Sequence, residues 1–508
     1  MKKLFTFLLL AVSFAMAAPP APKPKLILTI VIDQFRYDYL TRYRSDYKGG
    51  LNTLLTRGAV FTNAYHQHFP TVTAVGHSVV LSGATPSVSG IIGNDWYDRQ
   101  AGKSVTSVSD DSVKILGGSG EGGASPRRLL VGTVGDELRN ATDGASRVIG
   151  ISFKDRAAIL PAGPSANAAY WYDGGNGSFV SSTYYAADLP GWVKEFNTLK
   201  SVDRYRGAAW LDHKLPADDK VYSAVISSPF GSELLENFAE KAIQAEQLGK
   251  RAVTDLLIVS FSSNDYVGHS YGPDSAEARE ISIQADRMLD RLFRYLDGQI
   301  GMQNVLVVLT GDHGVAPVPE VNAARKMPGG RMPGGIIQKT VQAALAQKYG
   351  DGKWILSSSD HSLYLNTDLM AQMKLDPAAV EETARDAGLS VEHVFRAYTR
   401  HQLINGAVYD DMVGRRVLNG YNVRRGADVL FVLDPYWMFG RSGTTHGAAF
   451  QYDAHVPLIF MGAWIRAGRY DREVAIFDIA PTLATLMDLE TPAGSCGRVL
   501  TEMLLDAK

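Results

Sequence analysis

Residues of metal-ligating type fall into four short groups along the chain. Asp33 ends Val31-Ile32-Asp33-Gln34, and Asp265 and His269 stand in a D-x-x-x-H spacing. Asp312-His313 lies in Thr310-Gly311-Asp312-His313-Gly314, and His446 in Gly443-Thr444-Thr445-His446-Gly447. If Asp265 opens a helix, its spacing puts it on one face with His269. Glycines around Asp312-His313 let the backbone turn both side chains toward one ion. Three aspartates and three histidines suit two zinc-like sites that mix oxygen and nitrogen ligands. Taken singly, each group reads as well as a helix cap, a surface carboxylate or a hydrogen-bonded loop histidine. A candidate nucleophile is Thr73, in Phe69-Pro70-Thr71-Val72-Thr73-Ala74-Val75-Gly76-His77-Ser78. A Thr at a helix start can be a simple cap. The same position offers backbone N–H groups and a positive helix end to an anion. A coordinated metal would lower the hydroxyl pKa and make Thr73 a nucleophile at neutral pH.

These groups need a scaffold that brings them together. Short aliphatic runs occur at Leu26 to Ile32, Val148 to Phe153, Leu256 to Phe261, Val305 to Leu309, Val429 to Leu433 and Leu458 to Met461. Each has the length of a strand buried on both faces, as parallel strands under helices are. Helical stretches such as Ser232 to Leu248 and Asp274 to Leu296 lie between them. The alternation predicts an α/β fold, with a mainly parallel central sheet flanked by helices. Asp33, Lys154 and Arg156, Ser262 to Asp265, and Asp312-His313 each follow directly on a run. Ligands bind outside the carboxyl ends of such strands, so these groups should converge. That joint placement raises the metal-site reading above the simpler ones.

Two regions break the rhythm. Residues of about 157–230 are rich in Gly, Tyr and Trp, and residues of about 318–427 begin with a Gly-Pro-rich loop, Met327 to Gly335. Both read as insertions capping the ligand edge of a single catalytic domain, 18–508. Residues 1–17 read as a signal peptide: Lys2-Lys3, an apolar run from Leu4, then Ala15-Met16-Ala17. Cleavage would follow Ala17 or Ala18. The run is too short for an ordinary membrane anchor, so a periplasmic or secreted protein is expected.

Composition excludes several function classes. The 51 basic and 53 acidic residues nearly balance, which removes nucleic acid as a default partner. The single cysteine, Cys496, excludes an intramolecular disulfide framework and a thiolate metal cluster.

The order Asp33, Thr73, Asn94, Asp265/His269, Asp312/His313, His446 resembles the alkaline phosphatase superfamily. Its nearest branch holds nucleotide pyrophosphatases/phosphodiesterases and secreted bacterial alkaline phosphatases with a threonine nucleophile. The motifs are P-T-x-T-x-x-G-H, G-I-I-G-N, D-x-x-x-H, G-D-H-G and a late T-H-G. The resemblance implies that Asp265, His269 and His446 hold one zinc ion, and Asp33, Thr73, Asp312 and His313 the other. It implies Thr73 as the nucleophile and gives His66, His68 and His77 no ligand role. Lys154-Asp155-Arg156 looks like the Lys-x-Arg pair of the threonine phosphatases, which would hold phosphate oxygens together with Asn94. Two Zn²⁺ balance three aspartates and a Thr alkoxide, so Lys154 and Arg156 leave a positive surplus. That surplus suits a dianionic monoester better than a diester. No C/S-x-P-x-R sulfatase motif occurs. The expectation is a di-zinc phosphatase for small-molecule phosphate monoesters. A diesterase or pyrophosphatase with the same metals is the alternative, and a zinc- or phosphate-binding protein the non-enzymatic one.

Overall fold

Leu26–Ile32, buried along its whole length, lies at the centre of the molecule. It pairs in parallel with Asp255–Phe261 on one side and Val305–Thr310 on the other. Val148–Ser152 adds in parallel beyond Asp255–Phe261, and Ala168–Asp173 beyond that. Four neighbouring strands therefore deliver Asp33, Lys154, the segment before Asp265, and Asp312 to one edge. The computed structural model describes residues 23–120 and 122–505. The expected signal peptide lies outside them, and no described helix is long and apolar enough to cross a membrane.

Alternation along the strands explains the layers. Leu26, Leu28, Ile30 and Ile32 face one hydrophobic cluster with the helices Pro229–Ala245 and Ala276–Ile300. Ile27 and Val31 face the other, with the helices Thr73–Ser82, Val134–Ala141 and Ile479–Met487. Side chains two apart share a face, so a strand aliphatic throughout must be covered on both. Each such side chain contributes about 1.5–3 kcal/mol on burial.

Two of the aliphatic runs do not extend the parallel register. Leu458–Met461 enters the ten-stranded sheet antiparallel to Val305–Thr310. Val429–Leu433 belongs to a separate four-stranded sheet with Ile355–Ser359, Ser362–Leu365 and Val394–Thr399. A run of buried aliphatics reports two covered faces, not direction or sheet membership. The four-stranded sheet has its own core, built on Trp354, Val341, Leu345 and Phe431. Within the residues read as a first insertion, Ala168–Asp173 and Ser178–Ser182 lengthen the central sheet.

Candidate active site

Thr73 is the first residue of the helix Thr73–Ser82, every residue of which is buried. Gly76 lets this helix approach the metal-ligand loop, since a Cβ there would lie 2.0 Å from the Asp312 carbonyl oxygen. The Thr73 hydroxyl stands 3.3 Å from His313 Nε2 and 3.4 Å from Lys154 Nζ.

Around it the six Asp and His residues form two triads, Asp33/Asp312/His313 and Asp265/His269/His446. Within each, one ligand-type atom per residue lies within 4.8 Å of the others. The triads adjoin, with the His313 and His446 rings stacked at 3.6 Å between centroids. The imidazoles share one arrangement. His269 Nδ1 donates to the Thr444 carbonyl at 2.8 Å, His446 Nδ1 to Thr71 at 2.8 Å, and His313 Nδ1 to Gly314 at 2.9 Å. Each Nδ1 is thereby committed as a donor, which turns a lone pair on Nε2 inward.

The carboxylates support the same chemistry. Asp33 Oδ1 and Asp312 Oδ2 are fully buried with no hydrogen-bond partner among the described residues. An anionic oxygen buried without a donor is costly unless a cation meets it. Burial, then the adjacent Asp312 carboxylate, pushes the Asp33 pKa well above the usual range. Burial acts the same way on Asp265, but Lys154 and His269 outweigh it and hold that carboxyl low. Burial lowers the pKa of both His313 and His446, favouring the neutral form that ligates metal. Donor types, orphaned oxygens and ring orientation all fit divalent zinc in mixed oxygen–nitrogen sites.

The anion-binding candidates are placed differently from one another. Asn94 Oδ1 accepts from the Ala74 N–H at 2.9 Å, which leaves its NH₂ as the free donor. Lys154 Nζ bridges the triads, 2.6 Å from Asp33 Oδ2 and 2.6 Å from Asp265 Oδ2. A buried ammonium takes the nearest anions, and here these are carboxylates. The Arg156 guanidinium lies 3.7 Å from Asp155, with Nε buried and unpartnered among the described residues.

Some contributors were not among the residues expected at the site. Gln34, at φ 62°, gives its backbone N–H to Asp312 at 3.0 Å and its side-chain amide to Asp265 at 2.6 Å. His77 Nδ1 donates to the Thr73 carbonyl at 2.8 Å and lies 3.2 Å from Asp312. Asp360-His361 forms the tip of the hairpin between Ile355–Ser359 and Ser362–Leu365, and the His361 ring meets Phe69 edge-on at 5.1 Å. Only His77 stood inside a recognisable motif.

Residues 27–451 match the family described as Type I phosphodiesterase / nucleotide pyrophosphatase. The chain is 38% identical to "Alkaline phosphatase PhoV" of Synechococcus elongatus, over 95% of this chain and 93% of that protein. It is 36% identical to a "Calcium-transporting ATPase" of Myroides odoratus, over 97% of each. The crystal structure of alkaline phosphatase PafA superposes with a TM-score of 0.89 at 34% identity, covering 96% of this chain and 100% of that one. With the predicted order of ligand groups on the predicted fold, these similarities have one reading: the chain belongs to the type I phosphodiesterase / nucleotide pyrophosphatase family of the alkaline phosphatase superfamily.

Proposed function

We propose that this chain is a secreted di-zinc alkaline phosphatase that hydrolyses phosphate monoesters through a phosphothreonine intermediate. The observation that carries the reading is the Thr73 hydroxyl, at a buried helix start and within 3.4 Å of both His313 and Lys154, beside two carboxylate–imidazole triads. Two zinc ions, one held by Asp33, Thr73, Asp312 and His313 and one by Asp265, His269 and His446, would supply Lewis acidity at the nucleophile and the leaving oxygen. Thr73 Oγ attacks phosphorus in line, and the bond to the leaving alcohol breaks as the Thr73 ester forms. Asn94, Lys154 and Arg156 hold the non-bridging oxygens, the arginine through a two-pronged fork. Water then attacks phosphorus and returns Thr73 to its free form.

The relatives named alkaline phosphatase support monoester hydrolysis. The family description favours a second reading, a phosphodiesterase or nucleotide pyrophosphatase with the same metals. Rates on matched aryl monoester and diester substrates, measured with the metal content of the same sample, decide between them. The expected result is a higher kcat/KM for the monoester, with zinc near two per chain. A diester preference at full metal content would overturn the phosphatase reading, and any turnover removes the non-enzymatic one.

A further inference from the structure

A cleft of about 400 Å³ opens from the triads toward solvent, with His269, His446 and Asn94 at its inner end. Much of its lining comes from two hairpins far apart in sequence, with Phe69, Pro70 and Val72 and residues of 420–430 completing it. One hairpin carries Asp95–Asp98 and Lys103–Thr106, and the other is the Ile355–Ser359 and Ser362–Leu365 pair. Tyr97 and Tyr364 meet across it, with ring centroids 5.6 Å apart.

The carboxylates and ammonium or guanidinium groups are unevenly placed around this cleft. Asp95 and Asp360 line the cleft and are exposed, and no lysine or arginine lines it. The cations on and behind the walls are engaged, beginning with Lys103 of the first hairpin, which pairs with Asp111 at 2.9 Å. Arg99 is paired with Asp428 at 2.7 Å, and Arg128 with Asp98 at 3.4 Å. Arg425 donates to the carbonyls of Gly90 and Arg128. The cleft lining itself therefore carries carboxylates and no ammonium or guanidinium group, while Lys154 and Arg156 stand near the triads. The lining carboxylates attract a cation and disfavour a second anion, whereas the buried Tyr364 ring already has the Arg99 guanidinium 5.1 Å from its centroid.

We infer that this cleft receives the alcohol part of the ester and selects it by charge. Monoesters with a cationic or neutral leaving alcohol are favoured over those carrying further anionic groups. The inference rests on the phosphatase reading and adds its substrate class. Asp95 and Asp360 act on specificity, and neither touches the reacting atoms.

The test uses zinc-loaded full-length protein and three phenyl phosphates, para-substituted with trimethylammonium, carbamoyl or carboxylate. The quantity read is the ratio of kcat/KM for the ammonium and carboxylate substrates, in wild type and in Asp95→Asn/Asp360→Asn. Comparing proteins on the same pair of substrates cancels the electronic effect of the substituents. A unit charge at ~8 Å in water-like surroundings changes binding roughly twofold, so two carboxylates acting on two opposite charges should shift the ratio about tenfold. The ratio should fall by that amount in the double variant, by less in each single variant, and the wild-type preference should shrink with added salt. An unchanged ratio in the double variant overturns the inference and leaves the phosphatase reading standing. Failure of the wild-type protein to hydrolyse any of the three overturns both.

Discussion

The two triads are built from the same residue types but sit in different surroundings. Asp33, Asp312 and His313 are wholly buried, with side-chain exposures of 0%. They follow directly on Leu26–Ile32 and Val305–Thr310, adjacent strands in parallel register. Asp265 and His446 are nearly as buried, but the His269 side chain is 35% exposed and borders the cleft. This second triad joins the helix Ser263–Tyr271 to a loop that tertiary tethers hold. Thr444 Oγ donates to the Ala316 carbonyl at 2.7 Å, and Arg331 donates to Gly443 at 2.7 Å while pairing with Glu320. Gly443 keeps the loop against the helix, since a Cβ there would lie 2.1 Å from the His269 carbonyl oxygen. One half of the site is fixed by a sheet and the other by loop tethers, so the halves should differ in how readily they give up a metal.

Metal removal tests that difference most strongly. Exhaustive chelation should abolish activity, and Zn²⁺ should restore it better than Mg²⁺, which prefers oxygen ligands and retains its waters. Release followed over time should be biphasic, with the cleft-side metal leaving first. Release in one phase would break the comparison, and full activity in metal-free protein would end the di-zinc reading.

The proposed nucleophile, Thr73, adjoins the buried half, and with Asp33, Asp312 and His313 still in place its removal should leave most of the zinc bound. Thr73→Ala should lower kcat by several orders of magnitude with zinc content nearly intact, while Thr73→Ser keeps a measurable fraction. Rapid-quench trapping should find phosphate on Thr73 in the wild-type protein. Near-native kcat in Thr73→Ala would assign the attack to another group.

Lys154 spans the halves, touching a carboxylate of each; on the proposed reading bound metals neutralise those carboxylates and free the ammonium for phosphate, so its loss with Arg156 should be felt at substrate more than at metal. Each charge-assisted contact to a phosphoryl oxygen is worth about 2–4 kcal/mol in the transition state. Lys154→Ala/Arg156→Ala should therefore lose on the order of 10³-fold or more on monoesters and much less on diesters. Equal losses on both substrates, at full zinc content, would make the pair structural.

What is legible in the sequence follows the same division. Asp33 and Asp312-His313 directly follow uninterrupted aliphatic runs, and such a run announces a buried parallel strand and the place where it ends. The ligand edge can thus be located from residue order alone. The D-x-x-x-H pair is legible because it depends only on helical spacing. Val429–Leu433 misleads, because a strand buried in a small accessory sheet has the same composition as one in the central sheet. The approach of Asp360-His361 to Phe69 has no local signature, since it depends on how that accessory sheet docks. Gln34 is equally silent. Its role comes from a left-handed backbone conformation that sends the N–H one way and the side chain another.

That split at Gln34 gives the smallest effect and the sharpest separation of the halves. Its backbone N–H serves Asp312 in the buried triad, and its side-chain amide serves Asp265 in the cleft-side triad. Gln34→Met keeps the backbone donor, is close to the original in size, and adds no β-branch at a positive φ. It removes only the amide that orients Asp265. Losing a hydrogen bond that holds a metal-ligating carboxylate typically costs 10–100-fold in metal affinity or activity. Because Lys154 and His269 still hold Asp265, the lower end of that range is expected, roughly tenfold weaker zinc binding. The loss should fall on the first-released metal alone, with the slow phase of chelation unchanged. Zinc titration of the metal-free variant would read both affinities. Equal weakening at the two sites would mean that Gln34 acts through the strand end they share, and that the two halves are one mechanical unit.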